Sequence, residues 1–293
     1  MNLKATKYLL IIPCYNEALY LEKTLQSILN QSILPEQLII VDDNSSDETP
    51  QIIQKYVQEF PWIQSIHKNS ENVHLPGSKV IQAFQLGFDC ISKDYDIIVK
   101  ADADLIFPTH YFETILNHFN IDQKTGMVGG FAYIEKNGQW ILENLTDKDH
   151  IRGAFKAYRK ACFENIGGLK PAMGWDTLDE LLARFYGWNI KTDATLQVKH
   201  LKPTGQQYNK KARYKQGEAF YTLGYGFWIT LIAAVKLAFK KGKLFLFIDY
   251  ILGFLKAWQQ KTPQLVTNEQ AKFIKKYRWK KMRDKFFLNK IKM

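Results

Sequence analysis

Cysteine is scarce in this sequence, and the three thiols form no motif. Cys14, Cys90 and Cys162 are the only cysteines among 293 residues, and they lie far apart. Their number is odd and their spacing matches no zinc site, so we expect structural thiols rather than a disulfide framework or a cysteine-bound metal. A few scattered thiols are typical of a protein in a reducing compartment.

Long hydrophobic runs are also missing. The apolar run at residues 8–12 stops at Pro13, so it is too short for the core of a signal peptide and suits a first β-strand. Residues 223–235 and 244–258 are apolar and aromatic, but neither run reaches the ~20 residues that a membrane-spanning helix needs. The hydrophobic content of 46% is nevertheless that of a globular protein.

Acidic residues are few at one end of the chain. From residue 236 onward there are 16 Lys and Arg against three acids, whereas residues 1–235 carry 24 basic and 26 acidic residues. We therefore predict a near-neutral domain at residues 1–220 and a basic, amphipathic helical region at residues 221–293. Such asymmetry indicates an anionic surface as partner, either a membrane or a nucleic acid.

The C-terminal region contains no zinc-finger, helix-turn-helix or RNA-binding-sheet signature, so we expect no nucleic-acid partner. Two short apolar helices joined by a basic hinge are typical of segments that lie on a membrane surface. We therefore expect this region to associate with an anionic membrane. The alternative is a helical subdomain that packs on the rest of the protein and exposes a basic face.

Strand and helix signals alternate along the first half of the chain. Short apolar runs, typical of buried parallel strands, occur at residues 8–12, 37–41, 62–67, 95–99 and 127–134. Helical patterns separate them, including one at residues 16–30. This alternation predicts an α/β fold with a mostly parallel sheet flanked by helices, in which a ligand binds at the carboxyl ends of the strands.

Two carboxylates, Asp102 and Asp104, follow the strand predicted at residues 95–99. In an extended backbone, alternate side chains point the same way, so both can face one ligand. Their hard oxygen donors suit Mg²⁺ or Mn²⁺, ions that usually bind together with phosphate. The alternative is a solvated turn after a strand.

Three other polar segments follow predicted strands or begin helices. Tyr15, after the first strand, can stack on a base, although its neighbour Asn16 can simply cap a helix. Asp43, after the second strand, can bind a ribose or a base, although residues 42–47 also suit a capping turn. Lys79, in the first turn of a helix, can bind an anion or remain a solvated charge.

Together these motifs resemble the inverting family 2 glycosyltransferases with a GT-A type, Rossmann-like fold. The resemblance covers about residues 7–200. It depends on Ile-Ile-Pro-Cys-Tyr-Asn-Glu at 11–17, Val-Asp-Asp-Asn-Ser-Ser-Asp-Glu-Thr at 41–49, a Gly/Lys helix, and Asp-Ala-Asp at 102–104. It implies an enzyme that uses a nucleotide diphosphate sugar as donor and Mg²⁺ or Mn²⁺ as cofactor.

The resemblance also implies roles for individual residues. Three of them would line the nucleoside pocket, namely Pro13, Tyr15 and Glu17. Asp43 would read the base, and Asp102 would lie by the ribose, beside the metal ligand Asp104. Lys79 is the candidate donor contact of the Gly/Lys helix, whose spacing is one residue wider than is usual in the family.

A general base is expected downstream, because inversion requires a carboxylate that deprotonates the attacking hydroxyl. The family has Glu-Asp-x-Asp at the start of a helix that ends in Gly-aromatic. Counting back from Gly187, the base aligns with Asp176, Trp175 replaces the usual Glu, and Asp179 is the second candidate. Alternatively, these acids only cap the helix and complement its dipole.

His200 follows a short strand-like run, and in similar transferases a His at this place completes the metal shell; a structural histidine is the alternative. The sequence thus predicts a metal-dependent inverting glycosyltransferase, peripheral on the cytoplasmic face of the membrane. It would act on a glycan or lipid-linked acceptor in cell-envelope, exopolysaccharide or glycolipid synthesis. The alternatives are transfer to a polyprenyl phosphate, or a non-catalytic domain with a nucleic-acid-binding tail.

Overall fold

The structure is a computed structural model that describes residues 6–69, 77–143, 147–202 and 214–291, with side chains through residue 285. The chain divides into two compact units. The first comprises Met1–Pro171 and Trp175–Thr204, and the second comprises Ala172–Gly174 and Gly205–Met293. The domain boundary at residue 220 stays a prediction.

Four parallel strands form one side of the sheet in the first unit. They are β1 (Tyr8–Cys14), β2 (Gln37–Asp42), β3 (Ile63–His67) and β4 (Ile97–Ala101). The pairs β2–β3, β1–β2 and β1–β4 are all parallel. Every residue of β1, β2 and β4 is buried, which explains why these strands are continuous apolar runs rather than alternating ones.

Helices follow these strands as the sequence predicts. They are α1 (Leu21–Leu29), α2 (Thr49–Glu59), α3 (Ser78–Asp89) and α4 (Tyr111–Ile121). The first helix begins five residues later than the predicted start at residue 16. Asn16 adopts a left-handed backbone conformation (φ 53°) and belongs to a loop, so it does not cap α1.

The rest of the first unit is a mixture of strands and helices. Its elements are β5 (Leu105–Ile106), β6 (Thr125–Lys136), β7 (Gln139–Leu142), β8 (Phe155–Arg159), α5 (Lys160–Asn165), α6 (Trp175–Phe185) and β9 (Asn189–His200). Across the described residues the sheet has the order β3-β2-β1-β4-β8-β6-β9-β5, with β7 beside β6.

The sheet contains antiparallel pairs that the sequence pattern did not predict. β8 lies between β4 and β6 and runs antiparallel to both, with Lys156 opposite Lys100 and Phe155 opposite Ala101. Because β8 runs the other way, the residues that precede it lie at the carboxyl end of β4. The sheet therefore brings a late segment of the chain to the edge where the predicted site lies.

The main core joins these strands to α1 and α4. Its aromatic centre includes Tyr8 and Phe112, whose rings stack with centroids 4.9 Å apart, and Phe107, whose centroid lies 5.2 Å from that of Phe112. All three side chains are buried. This packing fixes the start of β1 against α4 and leaves the opposite, carboxyl ends of the strands to the site.

The second unit is helical over its described residues. Its helices are α7 (Lys215–Thr222), α8 (Phe227–Lys240), α9 (Phe245–Gln259) and α10 (Asn268–Ile291). Helices α7 and α9 cross at Gly217 and Gly253. A Cβ atom on Gly217 would lie 1.9 Å from the Tyr250 carbonyl oxygen, so no larger residue fits at this crossing.

No helix in the described part of the chain is long and apolar enough to cross a membrane. Helices α8 and α9 nevertheless expose large apolar side chains at helical spacing. We call these residues the apolar stripes: Trp228, Ile232, Val235 and Phe239 on α8, and Phe245, Ile248, Leu252 and Leu255 on α9. The side chains of Trp228 and Phe239 are 66% and 69% exposed.

Candidate functional site

A cavity of about 520 Å³ lies in the first unit at the carboxyl ends of β1, β2 and β4. It collects most of the side chains that the sequence singled out. Nine of the ten predicted site residues line it: Pro13, Tyr15, Glu17, Asp43, Lys79, Asp102, Asp104, Asp176 and His200. The tenth, Asp179, is not among the lining residues. The cavity is therefore the candidate active site.

The sheet topology explains why residues distant in sequence meet here. The short strand β5 pairs with the end of β9, which puts Leu105 opposite His200. The Leu201 amide donates a hydrogen bond to the Asp104 carbonyl oxygen at 2.8 Å. His200 is thereby fixed next to the second carboxylate of the Asp-Ala-Asp motif.

One part of the cavity is lined by Tyr15 and Glu17. The Tyr15 side chain is 48% exposed, which leaves its ring accessible for stacking. Glu17 accepts a hydrogen bond from Lys202 Nζ on Oε1 at 2.6 Å, whereas its buried Oε2 has no partner among the described residues. Burial raises the pKa of Glu17 to about 7, although Lys202 opposes the shift.

The loops after β1 and β2 are held together by their own polar side chains. The Asn16 amide donates to Ser45 Oγ at 2.9 Å, and Asn16 Oδ1 accepts from the Ser46 amide at 2.8 Å. The Ala18 amide donates to Asp47 Oδ2 at 3.1 Å. Several acidic and amide groups of these loops are thus structural, which leaves Tyr15 and its neighbours to face the cavity.

Asp43 and Lys79 also line the cavity. Asp43 is buried, and its Oδ1 accepts a hydrogen bond from Lys68 Nζ at 2.7 Å, which orients the carboxylate. Lys79 is the second residue of α3, after Gly77, whose φ of 73° permits the turn into the helix. Pro76, which the sequence placed at the start of this helix, lies outside the described residues.

Asp104 and His200 form the pair best suited to a divalent ion. Asp104 Oδ2 and His200 Nε2 are 3.4 Å apart, and His200 Nδ1 lies 3.3 Å from Glu143 Oε2. Two ligands at ~2.1 Å from one ion at right angles would be ~3.0 Å apart, so the observed separation fits a shared cation. Glu143 would orient the imidazole, as carboxylates do behind metal-bound histidines.

The contacts of His200 with Asp104 and Glu143 also determine the charge of its imidazole. Burial lowers the pKa of His200, but the hydrogen bonds to Asp104 and Glu143 outweigh it and raise the pKa to about 9. No group of three or more His, Cys, Asp or Glu in the described ranges is arranged to hold a metal. Two protein ligands are nevertheless typical of Mg²⁺ sites in which substrate phosphates supply the rest.

Asp102 is held by a lysine that the sequence analysis did not single out. Lys100 is buried, and its Nζ donates to Asp102 Oδ1 and to the Gly153 carbonyl oxygen, the latter at 2.9 Å. The same ammonium group lies 5.5 Å from the centroid of the Trp175 ring. Because Lys100 already occupies one oxygen of Asp102, Asp104 and His200 are the better placed metal ligands.

Asp176 lies in the first turn of α6 and lines the cavity, with its side chain 34% exposed. Its Oδ2 is 3.5 Å from His150 Nε2, and its carbonyl oxygen accepts a hydrogen bond from Lys156 Nζ at 2.6 Å. Burial raises the pKa of Asp176, but the cations His150 and Lys156 outweigh it and lower the pKa to about 2. The carboxylate is therefore ionised at neutral pH.

Asp179 lies one turn further along α6, in a buried cluster. It accepts hydrogen bonds from Lys156 Nζ at 3.0 and 3.1 Å and from Tyr158 Oη at 2.6 Å. Lys156 also contacts Glu180 Oε1 at 3.3 Å. Because the buried Asp179 carboxylate is bonded to Lys156 and Tyr158, a structural role is favoured over the catalytic one that the sequence suggested for it.

The structure adds four residues to the predicted set: Lys100, His150, Arg152 and Lys156. One signal could have found the two lysines, since each lies among apolar residues of a short strand; Lys100 pairs there with Asp102, and Lys156 with Asp179 and Glu180. His150 and Arg152 carry no such signal. They reach this region because β8 runs antiparallel to β4.

Comparison with known sequences identifies a family. A model described as glycosyl transferase family 2 matches residues 9–172. The poly-beta-1,6-N-acetyl-D-glucosamine synthase of Staphylococcus aureus is 24% identical over 236 residues, which cover 71% of this chain and 53% of that protein. An uncharacterized glycosyltransferase of Mycoplasma pneumoniae is 35% identical over 186 residues, covering 57% and 58%. The chain thus spans about half the length of the curated relatives it matches.

Solved structures show the same fold. S. aureus TarS 1–349 in complex with UDP-GlcNAc superposes with a TM-score of 0.56 at 17% identity, over 80% of this chain and 67% of that chain. The mannosyltransferase PcManGT from Pyrobaculum calidifontis, in complex with GDP-Man and Mn²⁺, gives 0.55 at 14% identity, over 92% and 78%. The expected GT-A type α/β fold is confirmed. Asp176 and His200 lie beyond the residues that the family model matches.

The buried cluster around Lys156 yields a prediction about stability. Replacing Lys156 with Met leaves Asp179 buried without its cation and leaves Glu180 with His150 alone, so we expect the free energy of unfolding to fall by about 3–5 kcal/mol. Urea denaturation at pH 7 measures the change.

The matched control is Lys55→Met, which removes the exposed ion pair with Glu22 and should leave the urea unfolding transition nearly unchanged. The double variant Lys156→Met with Asp179→Asn should recover part of the loss, because the carboxylate that lost its cation is no longer charged. If Lys156→Met were as stable as the control, the cluster would not depend on this cation.

Proposed function

The chain belongs to glycosyl transferase family 2, and on this premise we propose that it transfers a sugar, with inversion, from a nucleotide diphosphate sugar to an acceptor hydroxyl. One observation carries the proposal. A single cavity is lined by an accessible aromatic ring, by the Asp104–His200 pair and by the ionised carboxylate of Asp176. These are the groups needed for a nucleoside, a diphosphate-bound cation and a general base.

The donor would bind where Tyr15 and Glu17 line the cavity. Tyr15 would stack on the base, and the unpartnered Oε2 of Glu17 would accept a hydrogen bond from the nucleoside. Asp43 would contact the base, Asp102 would lie by the ribose, and Lys79 at the start of α3 would contact the diphosphate. The complexes of TarS with UDP-GlcNAc and of PcManGT with GDP-Man support a donor of this class.

The residues that would hold Mg²⁺ or Mn²⁺ are Asp104 and His200, with Asp102 beside them. A divalent ion bound there would offset the negative charge that develops on the departing nucleoside diphosphate. The protein's own contribution is to place the Asp104 carboxylate beside His200 and to orient the imidazole through Glu143. The Mn²⁺ in the PcManGT complex supports a metal of this kind.

Asp176 would act as the general base. Its carboxylate is ionised and lines the cavity, so it can take the proton of an acceptor hydroxyl as the oxygen attacks the anomeric carbon. The bond from that carbon to the diphosphate breaks in the same displacement, and the configuration inverts. Asp179 would support α6 from below through Lys156 rather than touch the acceptor.

The acceptor would belong to a cell-envelope glycan, an exopolysaccharide or a glycolipid. The similarity to a poly-beta-1,6-N-acetyl-D-glucosamine synthase supports this assignment. The enzyme would work at the cytoplasmic face of the cell membrane, where its three free thiols would stay reduced.

An anionic membrane surface would be the partner of the second unit. The apolar stripes of α8 and α9 expose aromatic and aliphatic side chains to water, and a bilayer would cover this apolar surface. Exposed lysines accompany them, among them Lys236, Lys240 and Lys243. An exposed apolar face flanked by cations is the pattern of helices that lie in the headgroup region of an anionic bilayer.

The donor site predicts a metal-dependent thermal shift. We expect UDP-GlcNAc or GDP-mannose, each with Mn²⁺, to raise the Tm of the protein, because a ligand at 100 times its Kd adds about 2.7 kcal/mol of stability. Asp104→Asn should abolish the contribution of Mn²⁺ to that shift.

Asp94→Asn is the control, because Asp94 is exposed and does not line the cavity. If Asp104→Asn kept the full Mn²⁺-dependent increase in Tm, Asp104 would not be a metal ligand. No shift with any nucleotide sugar in the panel would count against the donor class itself.

The base yields a kinetic prediction. Asp176→Asn should lower kcat for transfer to water or to N-acetylglucosamine oligosaccharides by about 10²–10⁴-fold, because the amide cannot take a proton. Donor-induced thermal shifts should be unchanged, and NMR of the released sugar should show the anomer opposite to that of the donor.

Undecaprenyl phosphate is the acceptor that distinguishes the two reactions, since transfer to a phosphate needs little base catalysis. Activity of Asp176→Asn with that acceptor alone would favour a polyprenyl-phosphate transferase.

The apolar stripes predict membrane binding. Trp228→Ser combined with Phe239→Ser should weaken flotation with phosphatidylglycerol vesicles at least 10-fold, because each exposed aromatic contributes ~1.5–3 kcal/mol when it leaves water. Leu19→Ser with Ile121→Ser is the matched control, since both residues are exposed in the first unit. Equal flotation of the two double variants would place membrane binding elsewhere or exclude it.

A further inference from the structure

A histidine that the sequence analysis did not consider stands between two acidic residues of α6. His150 Nε2 lies 3.5 Å from Asp176 Oδ2, and His150 Nδ1 lies 3.1 Å from Glu180 Oε1. The imidazole is 14% exposed, and Glu180 is buried. The three side chains form a carboxylate–imidazole–carboxylate chain that ends at the carboxylate lining the cavity.

The fold holds this chain from several sides. Asp176 and Glu180 are four residues apart, so they project from the same face of α6. The Ile151 amide donates to Glu180 Oε1 at 2.8 Å, and the His150 amide donates to the Asp147 carbonyl oxygen at 3.0 Å. The loop before β8 is thus attached to α6 at the residue after His150, which fixes the ring between the two acids.

We propose that His150 is a positioning residue for the general base: its imidazolium, anchored by Glu180, holds Oδ2 of Asp176 so that Oδ1 is presented to the acceptor hydroxyl. The proposal rests on the proposed function of Asp176. His150 would not itself take the substrate proton. That proton would move from the acceptor oxygen to Asp176 Oδ1, while His150 keeps both of its own protons throughout the displacement.

The charges around His150 agree with a permanently protonated ring. Burial lowers the pKa of His150, but the ion pairs with Asp176 and Glu180 outweigh it and raise the pKa to about 9. Lys156, 3.3 Å from Glu180 Oε1, acts in the opposite direction because it is a like charge. Among the described residues, Asp176 and Glu180 face the ring and the Lys156 ammonium group lies behind them, so the cationic form prevails at neutral pH.

The arrangement has a cost and a benefit for catalysis. The adjacent imidazolium weakens Asp176 as a base, because it stabilises the ionised form. In return, the carboxylate is ionised over the whole physiological range and its orientation is fixed, which favours a reactive geometry. If His150 were needed for stability alone, its replacement would destabilise the protein without lowering kcat.

The first experiment needs no substrate. Histidine side chains of the full-length protein, labelled with ¹⁵N, are titrated by NMR, and the His150 signals are assigned by their loss in His150→Gln. We expect a pKa well above 6.5 for His150, falling by at least one unit in Asp176→Asn and again in Glu180→Gln. His110, which is exposed and pairs with Glu113, is the internal control in both variants. An ordinary pKa in the unmodified protein would overturn the proposal.

The second experiment separates orientation from charge. With the donor that gives the thermal shift, and with water as acceptor, His150→Phe should lower kcat at least 10-fold. His150→Gln, which keeps a hydrogen-bond donor without the charge, should recover part of kcat. In both variants the acidic limb of the pH–kcat/KM profile should shift to higher pH by at least one pH unit, because Asp176 is no longer next to a cation. The control His110→Gln should match the unmodified enzyme.

The outcomes distinguish this inference from the proposed function. If Asp176→Asn is inactive but both His150 variants keep the original kcat and acidic limb, Asp176 remains the base and the role of His150 is wrong. If Asp176→Asn is fully active, the base assignment fails and the inference fails with it. If a His150 variant lost stability but retained its kcat and pH profile, the role of His150 would be structural only.

Discussion

Negative charge gathered in one cavity is the constraint on which the first unit depends. Five acidic side chains line the cavity: Glu17, Asp43, Asp102, Asp104 and Asp176. Each is paired with a different cation, in the same order Lys202, Lys68, Lys100, His200 and His150. A buried carboxylate without such a partner costs several kcal/mol. The cations therefore belong to the site as much as the acids do.

The acids and the cations differ in how well the sequence predicts them. Glu17, Asp43, Asp102 and Asp104 follow short apolar runs, so a local pattern and the geometry of parallel sheets suffice to bring these four acids to one cavity. The cations depend on long-range pairing. Lys100 meets Lys156 only through the β4–β8 register, and His200 reaches Asp104 only through β5 and β9. No local periodicity contains that information, which is why β8 and His150 were missed.

The two units are predicted from different features of the sequence. In the first unit, motifs with chemistry at fixed spacing carry the prediction, and residues 9–172 match a family model. In the second, composition predicts short apolar helices but not which face stays exposed. The crossing at Gly217 and Gly253 lets α9 approach α7 closely and leaves the other face uncovered. The apolar stripe of α9 lies on the face away from that contact, so it follows from the crossing rather than from the hydropathy of the helix alone.

The pairing of every lining acid with a cation has a consequence for how a ligand arrives. Five opposite-sign pairs nearly cancel one another, so the potential that they produce a Debye length away, ~8 Å at physiological ionic strength, is small. These pairs would then contribute little long-range attraction to the encounter with a polyanionic nucleotide, and any salt dependence of the capture rate would come from charges outside them. Discrimination among donors would be left to contacts made after the molecule has entered.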